Sequence, residues 1–216
     1  MEATLSWVGL SDWPAFAFVL PLAALLAVLA RDRRRRLDRS LTFEDAFDNA
    51  AQAARSDALT GVGNRLAWDE ALQLLQHDLR AAGKPHSIVL VDVDHLELAN
   101  DRHGRTVGDE LLGAVAATLR EAVRDDDVVA RIGGDEFAIL MRDTDESACL
   151  LRIARFEQAL GDQQLPSGVR VAATVGYGTT PPAASLPAAQ EHAHVRLYEA
   201  KAKRDLPRLA LVDDLA

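Results

Sequence analysis

The chain has 216 residues, enough for one ordinary domain and a short additional segment, and 49% of them are hydrophobic, which suffices for a sizeable core. The formal net charge is −9, and residues 37–216 alone carry 19 basic and 30 acidic side chains, so this region is a poor candidate for a nucleic-acid groove. The single cysteine, Cys149, excludes a disulfide framework within the chain and fits a reducing compartment.

An uncharged apolar stretch occupies residues 13–30 (WPAFAFVLPLAALLAVLA) and is followed at once by RDRRRR. As a helix, eighteen residues rise about 27 Å, which approaches the bilayer core thickness of about 30 Å. Basic residues favour the cytoplasmic end of a membrane helix. The pattern predicts an anchor over residues 1–36 that crosses the membrane once, with its N-terminus outside and everything after Arg31 inside.

Two alternatives account less well for this N-terminal region. A cleaved signal peptide carries its basic residues before the apolar stretch, whereas here they follow it. A buried core helix would leave the arginine cluster without a role.

Residues 37–56 are largely polar, with apolar side chains at spacings of three and four, which predicts a helix with one apolar face. A second copy of the chain would bury that face, so the segment is predicted to be a dimeric stalk. The alternative is a helix that lies back on the domain formed by residues 57–216.

From residue 57 onward, helical and strand patterns alternate. Helices are predicted at Leu66–Ala82, Glu97–Asp101, Asp109–Val123, Glu146–Leu160 and Ala188–Arg204, and strands at Ser87–Val93, Val128–Ile132, Glu136–Met141 and Val169–Gly178. The run SIVLVDV (87–93) is typical of a central strand buried on both faces. The order predicts an α/β (α+β) sandwich in which helices surround a mixed sheet of the ferredoxin-like or palm type.

Acidic side chains follow the predicted central strand and occupy the tip of the predicted hairpin. Asp92 and Asp94 end the strand, and Asp135 and Glu136 follow two adjacent glycines, where a turn at positive φ is expected. Surface acids are more often solvated than functional. Acids that converge from two strands, however, could hold two divalent cations, and Mg²⁺ prefers one or two carboxylates together with substrate phosphates.

The stretch RIGGDEF (131–137) resembles the GGDEF signature of the diguanylate cyclases. Three further segments resemble motifs of the same family: DALTGVGNR (57–65), VDVDHLELANDRHGRTVGDELL (91–112) and RLYEAKAK (196–203). The resemblance covers about residues 55–205. It implies an enzyme that condenses two GTP molecules into cyclic di-GMP, with one GTP in each protomer of a homodimer. Together with the anchor, it implies a bacterial inner-membrane protein with a cytoplasmic catalytic domain.

The resemblance also implies roles for individual residues. Asp92 and Asp135 would bind Mg²⁺, or Mn²⁺, with help from the Val93 carbonyl, and Glu136 would help to deprotonate the attacking 3′-hydroxyl. The substrate-binding positions would be Asn100 and Asp109 on the guanine edge, and Lys201 with the backbone amides of His95 and Leu96 on the phosphates.

An R-x-x-D segment, from Arg124 to Asp127, precedes the signature at the distance where the family has its product-inhibition site. Arginine can form paired hydrogen bonds with guanine, and aspartate can accept from the guanine N–H groups. The alternative is a charged loop that follows a helix.

Three positions depart from the family pattern. Glu97 stands where the family has a phosphate-binding lysine, and Arg105 stands where it has histidine. After Lys201 the usual G-R-N is replaced by Arg204-Asp205-Leu206, so the second phosphate-binding arginine is absent or shifted by one position. Glu97 and the lost arginine favour an alternative function, a catalytically weak domain that binds GTP or cyclic di-GMP as a signalling or scaffold module. The complete GGDEF tip and the retained metal-binding and guanine-binding positions favour an active enzyme.

Other polar and aromatic residues are expected to have structural roles or none. Helix packing is expected for Trp68, a surface position for His192 and His194, and a connection between stalk and domain for Asp57, Asn64 and Arg65.

Overall fold

The computed structural model describes Arg31 and residues 49–82, 84–180 and 186–213, with side chains for all of these except 77–82 and 205–213. The chain divides into two compact units, Met1–Gln52 and Ala53–Ala216. Residues 49–55 are helical, but residues 13–30 and 37–48 lie outside the described residues. Within the described part, no helix has the length and apolar character needed to cross a membrane. The membrane anchor and the dimeric stalk therefore stay predictions.

The described part of the second unit contains one four-stranded sheet, formed by β1 (His86–Val93), β2 (Val128–Arg131), β3 (Glu136–Met141) and β4 (Ala173–Thr180). The strand order is β2-β3-β1-β4, and every neighbouring pair is antiparallel. The predicted mixed sheet is therefore wrong. Strands β1 and β2 do run in the same direction, but the hairpin places β3 between them, so they are not neighbours.

The helices that surround this sheet are α1 (Arg65–Ala82), α2 (Leu96–His103), α3 (Arg105–Ala122), α4 (Glu146–Gly161) and α5 (Leu186–Asp213). The predicted helices and strands are all present, with shifted ends. Helix α3 begins before Gly108, because Gly104, at φ 87°, makes the turn from α2. Strand β4 begins later than predicted, because residues 165–169 form a turn in which the Leu165 amide donates to the Val169 carbonyl over 2.8 Å.

Strand β1 is buried along its whole length and separates two apolar layers. Val89, Val91 and Val93 belong to the layer that contains α3 and α4. Ile88 and Leu90 belong to the layer that contains α1 and α5. This confirms the prediction of a central strand covered on both faces, and it fixes the end of β1 firmly in the middle of the domain.

Three side chains lie where the sequence predicts. Trp68 of α1 is 1% exposed and packs in the core. His192 and His194 of α5 are both exposed, as expected of surface residues.

Helix α5 passes so close to β4 that two positions of the strand have room only for glycine. A Cβ atom at Gly176 would collide with the carbonyl oxygen of Ala193 and the amide nitrogen of Leu197. At Gly178 it would collide with the carbonyl of Ala189. Because backbone atoms form these contacts, no change of rotamer could relieve them. The two glycines therefore determine how near α5 lies to the sheet.

We expect Gly178→Ala to lower the free energy of unfolding by about 3 kcal/mol, since overpacking against a fixed backbone costs about this much. The control is Gly113→Ala in α3, where a Cβ would meet no atom within 4 Å. That substitution should stabilise the protein by roughly 0.5–1 kcal/mol, because alanine is the better helix former. Urea unfolding followed by circular dichroism measures both, and equal effects would contradict the close contact.

Candidate active site

The pairing of β1 with β3 brings acidic side chains together at one end of the sheet. Asp92 lies directly opposite Glu136 in the register, and directly opposite residues in adjacent strands place their side chains on the same face. The Val93 amide donates to the Asp135 carbonyl oxygen over 2.9 Å, which holds the hairpin tip beside the strand end. The structure thus collects Asp92, Asp135 and Glu136 at one place.

The Asp92 carboxylate is deeply buried for a charged group, with a side chain 8% exposed. Its Oδ2 atom lies 2.6 Å from Nζ of Lys201 on α5. Burial raises the pKa of Asp92, and the negative charges of Asp135 and Glu136 add to this, while the hydrogen bond and charge of Lys201 oppose it. The carboxylate is therefore in an environment that favours a cation beside it.

The glycine pair at the hairpin tip does not have the predicted conformation. Neither Gly133 nor Gly134 has a positive φ, so that expectation is wrong. A Cβ at Gly133 would lie 2.9 Å from Oε2 and 3.2 Å from Cβ of Glu136. At this position glycine makes room for the acidic side chain of Glu136, whereas a Cβ at Gly134 would meet nothing within 4 Å.

Arg131 stabilises the hairpin tip, a role that the sequence analysis missed. Its Nη2 atom donates to the Gly134 carbonyl over 2.6 Å, and its Nη1 atom lies 3.4 Å from Oδ1 of Asp57. Asp57 also accepts hydrogen bonds from the amide and hydroxyl of Thr60. Although burial raises the pKa of Asp57, these hydrogen bonds and the charge of Arg131 outweigh it and leave that pKa below its usual value.

The segment DALTGVGNR (57–65) also stabilises the start of α1. The Asn64 side chain accepts from the Ala67 amide over 3.2 Å and donates to the Ala54 carbonyl over 2.7 Å. Asp57 and Asn64 therefore have structural contacts, as expected. Arg65 is exposed at the first residue of α1.

Asp94, two residues beyond Asp92, forms an ion pair with Arg204 of α5. Thr174 of β4 connects the two, because its hydroxyl donates to Asp94 over 2.7 Å and accepts from Arg204 over 2.9 Å. The Asp94 side chain is 10% exposed. Sequence reasoning noted that Arg204 departs from the family pattern, but it could not show that the guanidinium reaches the strand end.

The turn from β1 into α2 has a left-handed residue at its centre. His95 has φ 60° and ψ 25°, and no side chain caps the helix that follows. The predicted phosphate-binding amides of His95 and Leu96 lie at this helix start, where free N–H groups suit anions. Glu97 is exposed in the first turn of α2, where it places a negative charge beside them.

The predicted guanine-binding residues lie at the α2–α3 junction. The Asn100 side chain packs against Gly108, the residue before Asp109, so closely that a Cβ there would lie 2.8 Å from the Asn100 Cγ atom. Asp109 itself is exposed. The missing Cβ of Gly108 therefore leaves the space that the Asn100 amide occupies.

Asp127 of the R-x-x-D segment has a side chain that is fully buried. Its carboxylate accepts hydrogen bonds from the amides of Arg124 and Arg142, at 3.0 and 2.9 Å, and from Nη1 of Arg152 at 2.6 Å. Arg124, by contrast, is an exposed residue. The two ends of the segment thus differ: Asp127 joins the loop to Arg142, directly after β3, and to α4, whereas Arg124 faces solvent.

Among the residues that the structure describes, no group of three or more acidic, histidine or cysteine side chains is arranged to hold a metal ion. The chemistry at the strand end nevertheless fits Mg²⁺, which binds through one or two carboxylates and completes its shell with phosphate oxygens and water. Asp92 and Asp135 provide such carboxylates, because the hydrogen bond from the Val93 amide to the Asp135 carbonyl holds the hairpin tip beside the strand end.

Comparison with known proteins identifies relatives of this site. Residues 54–205 match the model of the "Diguanylate cyclase, GGDEF domain" family. The chain is 33% identical over 179 residues to "Diguanylate cyclase TpbB" of Pseudomonas aeruginosa, covering 79% of this chain and 41% of that protein. It is 36% identical over 168 residues to "Response regulator PleD" of Caulobacter vibrioides, covering 72% and 36%. The chain thus spans less than half the length of either relative.

The fold also matches a solved structure, the coiled coil and GGDEF domain of DgcB from Caulobacter crescentus in complex with c-di-GMP. The TM-score is 0.72 at 22% identity, over 83% of this chain and 95% of that one. At this identity the likeness supports the fold, an antiparallel sheet with surrounding helices.

We expect Asp127→Asn to destabilise the protein by about 2–4 kcal/mol, because it leaves the Arg152 guanidinium without its buried counter-ion. The control is Asp126→Asn at the exposed neighbouring position, which should change the free energy of unfolding by less than about 0.5 kcal/mol. Chemical unfolding of both variants provides the comparison. Equal stability of the Asp127 variant and the unaltered chain would show that the buried network contributes little.

Proposed function

Because this chain belongs to the GGDEF-domain family of diguanylate cyclases, we propose that it condenses two molecules of GTP into cyclic di-GMP and two pyrophosphates. The observation that carries this proposal is the register of β1 and β3, which sets Asp92 opposite Glu136 at the hairpin tip. The relative TpbB is named a diguanylate cyclase, and the match to it includes most of this chain. The known chemistry of the family needs acids at this place.

Magnesium, or manganese, is the proposed cofactor, held by Asp92, Asp135 and the Val93 carbonyl. When bound, the ion neutralises triphosphate charge and makes the 3′-hydroxyl easier to deprotonate. The chain itself presents one carboxylate at the end of β1 and one in the turn before β3, and the first of these is almost fully buried. A withdrawn carboxylate interacts more strongly with positive charge than one in bulk solvent.

Glu136 is the proposed group that accepts the proton of the attacking hydroxyl. It lies opposite Asp92 and folds over Gly133, so its position is restricted by the hairpin tip. The Asn100 amide and the Asp109 carboxylate would recognise guanine by complementary donors and acceptors. Lys201 and the amides of His95 and Leu96 would bind the phosphates.

A homodimer is the proposed active form, since cyclic di-GMP has two phosphodiester bonds and each protomer would hold one GTP. Residues 37–56 are proposed to form a stalk that pairs two chains. Analytical ultracentrifugation of the full chain in detergent, with and without that segment, measures this directly. If the chain without residues 37–56 is still a dimer, the stalk is not the element that pairs the two chains.

We also propose that residues 1–36 anchor the chain in the bacterial inner membrane, with the catalytic domain in the cytoplasm. The uncharged stretch at 13–30 and the arginine cluster after it support this proposal. Carbonate extraction of membranes tests it: the full chain should stay in the pellet, and its release into the supernatant would refute the anchor.

Product inhibition is proposed to act through Arg124, whose exposed position leaves it accessible to cyclic di-GMP. Asp127 belongs to the same motif, but its carboxylate already accepts three hydrogen bonds within the domain. Its proposed contribution is therefore to position the loop that carries Arg124. Added product should inhibit an Arg124→Ala variant less than the unaltered enzyme.

A binding module is the second candidate function, and one observation favours it. Glu97 is exposed in the first turn of α2, beside the amides proposed for phosphate, and a negative charge there opposes triphosphate binding. In that case the domain would bind nucleotide or cyclic di-GMP with little turnover.

We expect Glu136→Gln to lower cyclic di-GMP synthesis at least about 100-fold, as loss of a general base commonly does. The measurement is chromatography of the product formed by the full chain in detergent with GTP and Mg²⁺. The control is Glu121→Gln, which removes the charge of an exposed side chain near the end of α3. That variant should retain the activity of the unaltered chain.

The outcomes separate the two candidate functions. Synthesis by the unaltered chain that Glu136→Gln abolishes supports the cyclase, and full activity of Glu136→Gln would remove this residue from the mechanism. A folded, dimeric chain that binds cyclic di-GMP without making it would favour the binding module.

A further inference from the structure

Lys201 forms its ion pair with the carboxylate that the proposed cofactor would need. The Lys201 Nζ atom lies 2.6 Å from Oδ2 of Asp92, and the Asp92 side chain is 8% exposed. Few water molecules can therefore reach this oxygen. The ammonium group and a divalent cation would compete for the same carboxylate.

A second ion pair lies beside the first. Arg204 contacts Asp94, which lies in the turn directly after β1, two residues from Asp92. On α5, Lys201 and Arg204 are three residues apart and so share one face of the helix. One helix thus supplies positive charge to both acids at the end of β1, and the glycines of β4 let the helix come close enough.

We propose that Lys201 is an internal counter-ion of Asp92, and that a divalent cation binds this site by displacing the ammonium group onto the nucleotide phosphates. The proposal rests on the proposed function, because it assumes a nucleotide with a polyphosphate. It predicts that metal binds weakly to the empty site and tightly together with nucleotide.

The physical reason is that the negative charge of Asp92 has a cation beside it both before and after nucleotide binds. Asp92 lies opposite Glu136 and beside the hairpin tip that carries Asp135, and its side chain is 8% exposed. A cation in contact with this carboxylate therefore offsets both the like-charge repulsion and the loss of solvent. Before nucleotide arrives, Lys201 supplies that charge. Without a phosphate nearby, a metal ion that displaces Lys201 leaves the ammonium group with no counter-ion. A bound triphosphate gives that ammonium group a new one.

The test measures Mn²⁺ binding to the full chain in detergent, from the electron paramagnetic resonance signal of free Mn²⁺. Without nucleotide, Lys201→Met should bind Mn²⁺ about fivefold more tightly than the unaltered chain, because the competing ammonium is gone. The control is Lys203→Met, which removes an equal charge from an exposed position on the same helix. It should change the affinity less than about twofold.

The same titration with a non-hydrolysable GTP analogue tests the second half of the proposal. The analogue should raise the Mn²⁺ affinity of the unaltered chain more than that of Lys201→Met, since only the unaltered chain transfers an ammonium to phosphate. If the analogue raises the Mn²⁺ affinity equally in both proteins, the ammonium group of Lys201 does not move from Asp92 to the phosphates. Circular dichroism establishes that each variant is folded.

Two results would overturn the proposal. One is an Mn²⁺ affinity of Lys201→Met, without nucleotide, that is equal to or weaker than that of the unaltered chain, including no detectable binding to either. The other is tighter binding that persists in the double variant Asp92→Asn, Lys201→Met, which would place the metal elsewhere. Neither depends on turnover, so a chain that makes no cyclic di-GMP can still support or refute the counter-ion.

Discussion

The close contact between α5 and β4 is the constraint on which the candidate site depends. Gly176 and Gly178 have no side chain, and the backbone of the helix fills the space. This contact brings Lys201 and Arg204 to the end of β1, where they meet Asp92 and Asp94. The two cations are therefore positioned by two residues that have no side chain. Gly176 and Gly178 are two residues apart, and alternate residues of a strand face the same side, so both glycines face the helix.

The site also explains how a stable domain tolerates acids that repel one another. Like charges directly opposite in a sheet are destabilising, and Asp92 opposite Glu136 is such a pair. The domain offsets the repulsion with cations from a distant part of the chain rather than by moving the acids apart. An arrangement of this kind keeps the carboxylates close enough to act on one ligand.

Much of the architecture could be predicted because it depends on local pattern. The apolar run before Asp92 identified the central strand, and the motif around Asp135 identified the hairpin. Pairing between distant segments could not be predicted. The ion pairs of Arg131 with Asp57 and of Arg152 with Asp127 join residues that are far apart in the sequence, and the spacing of apolar residues does not predict such contacts. The mixed sheet was wrong for the same reason: strand order depends on where a hairpin inserts. The role of the glycine pair was also misread, since Gly133 accommodates a neighbouring side chain rather than a left-handed turn.

The buried carboxylate of Asp127 has a consequence for how such sequences evolve. The fold alone gives a reason to keep an acid here, because its carboxylate accepts hydrogen bonds from its own loop, from the amide directly after β3 and from α4. A lineage that lost feedback control would keep this aspartate and could freely vary the exposed arginine three positions earlier. If Arg124 binds product as proposed, an intact four-residue motif reports the needs of folding together with regulation. The arginine position would then be the more informative one for inferring which descendants respond to their own product.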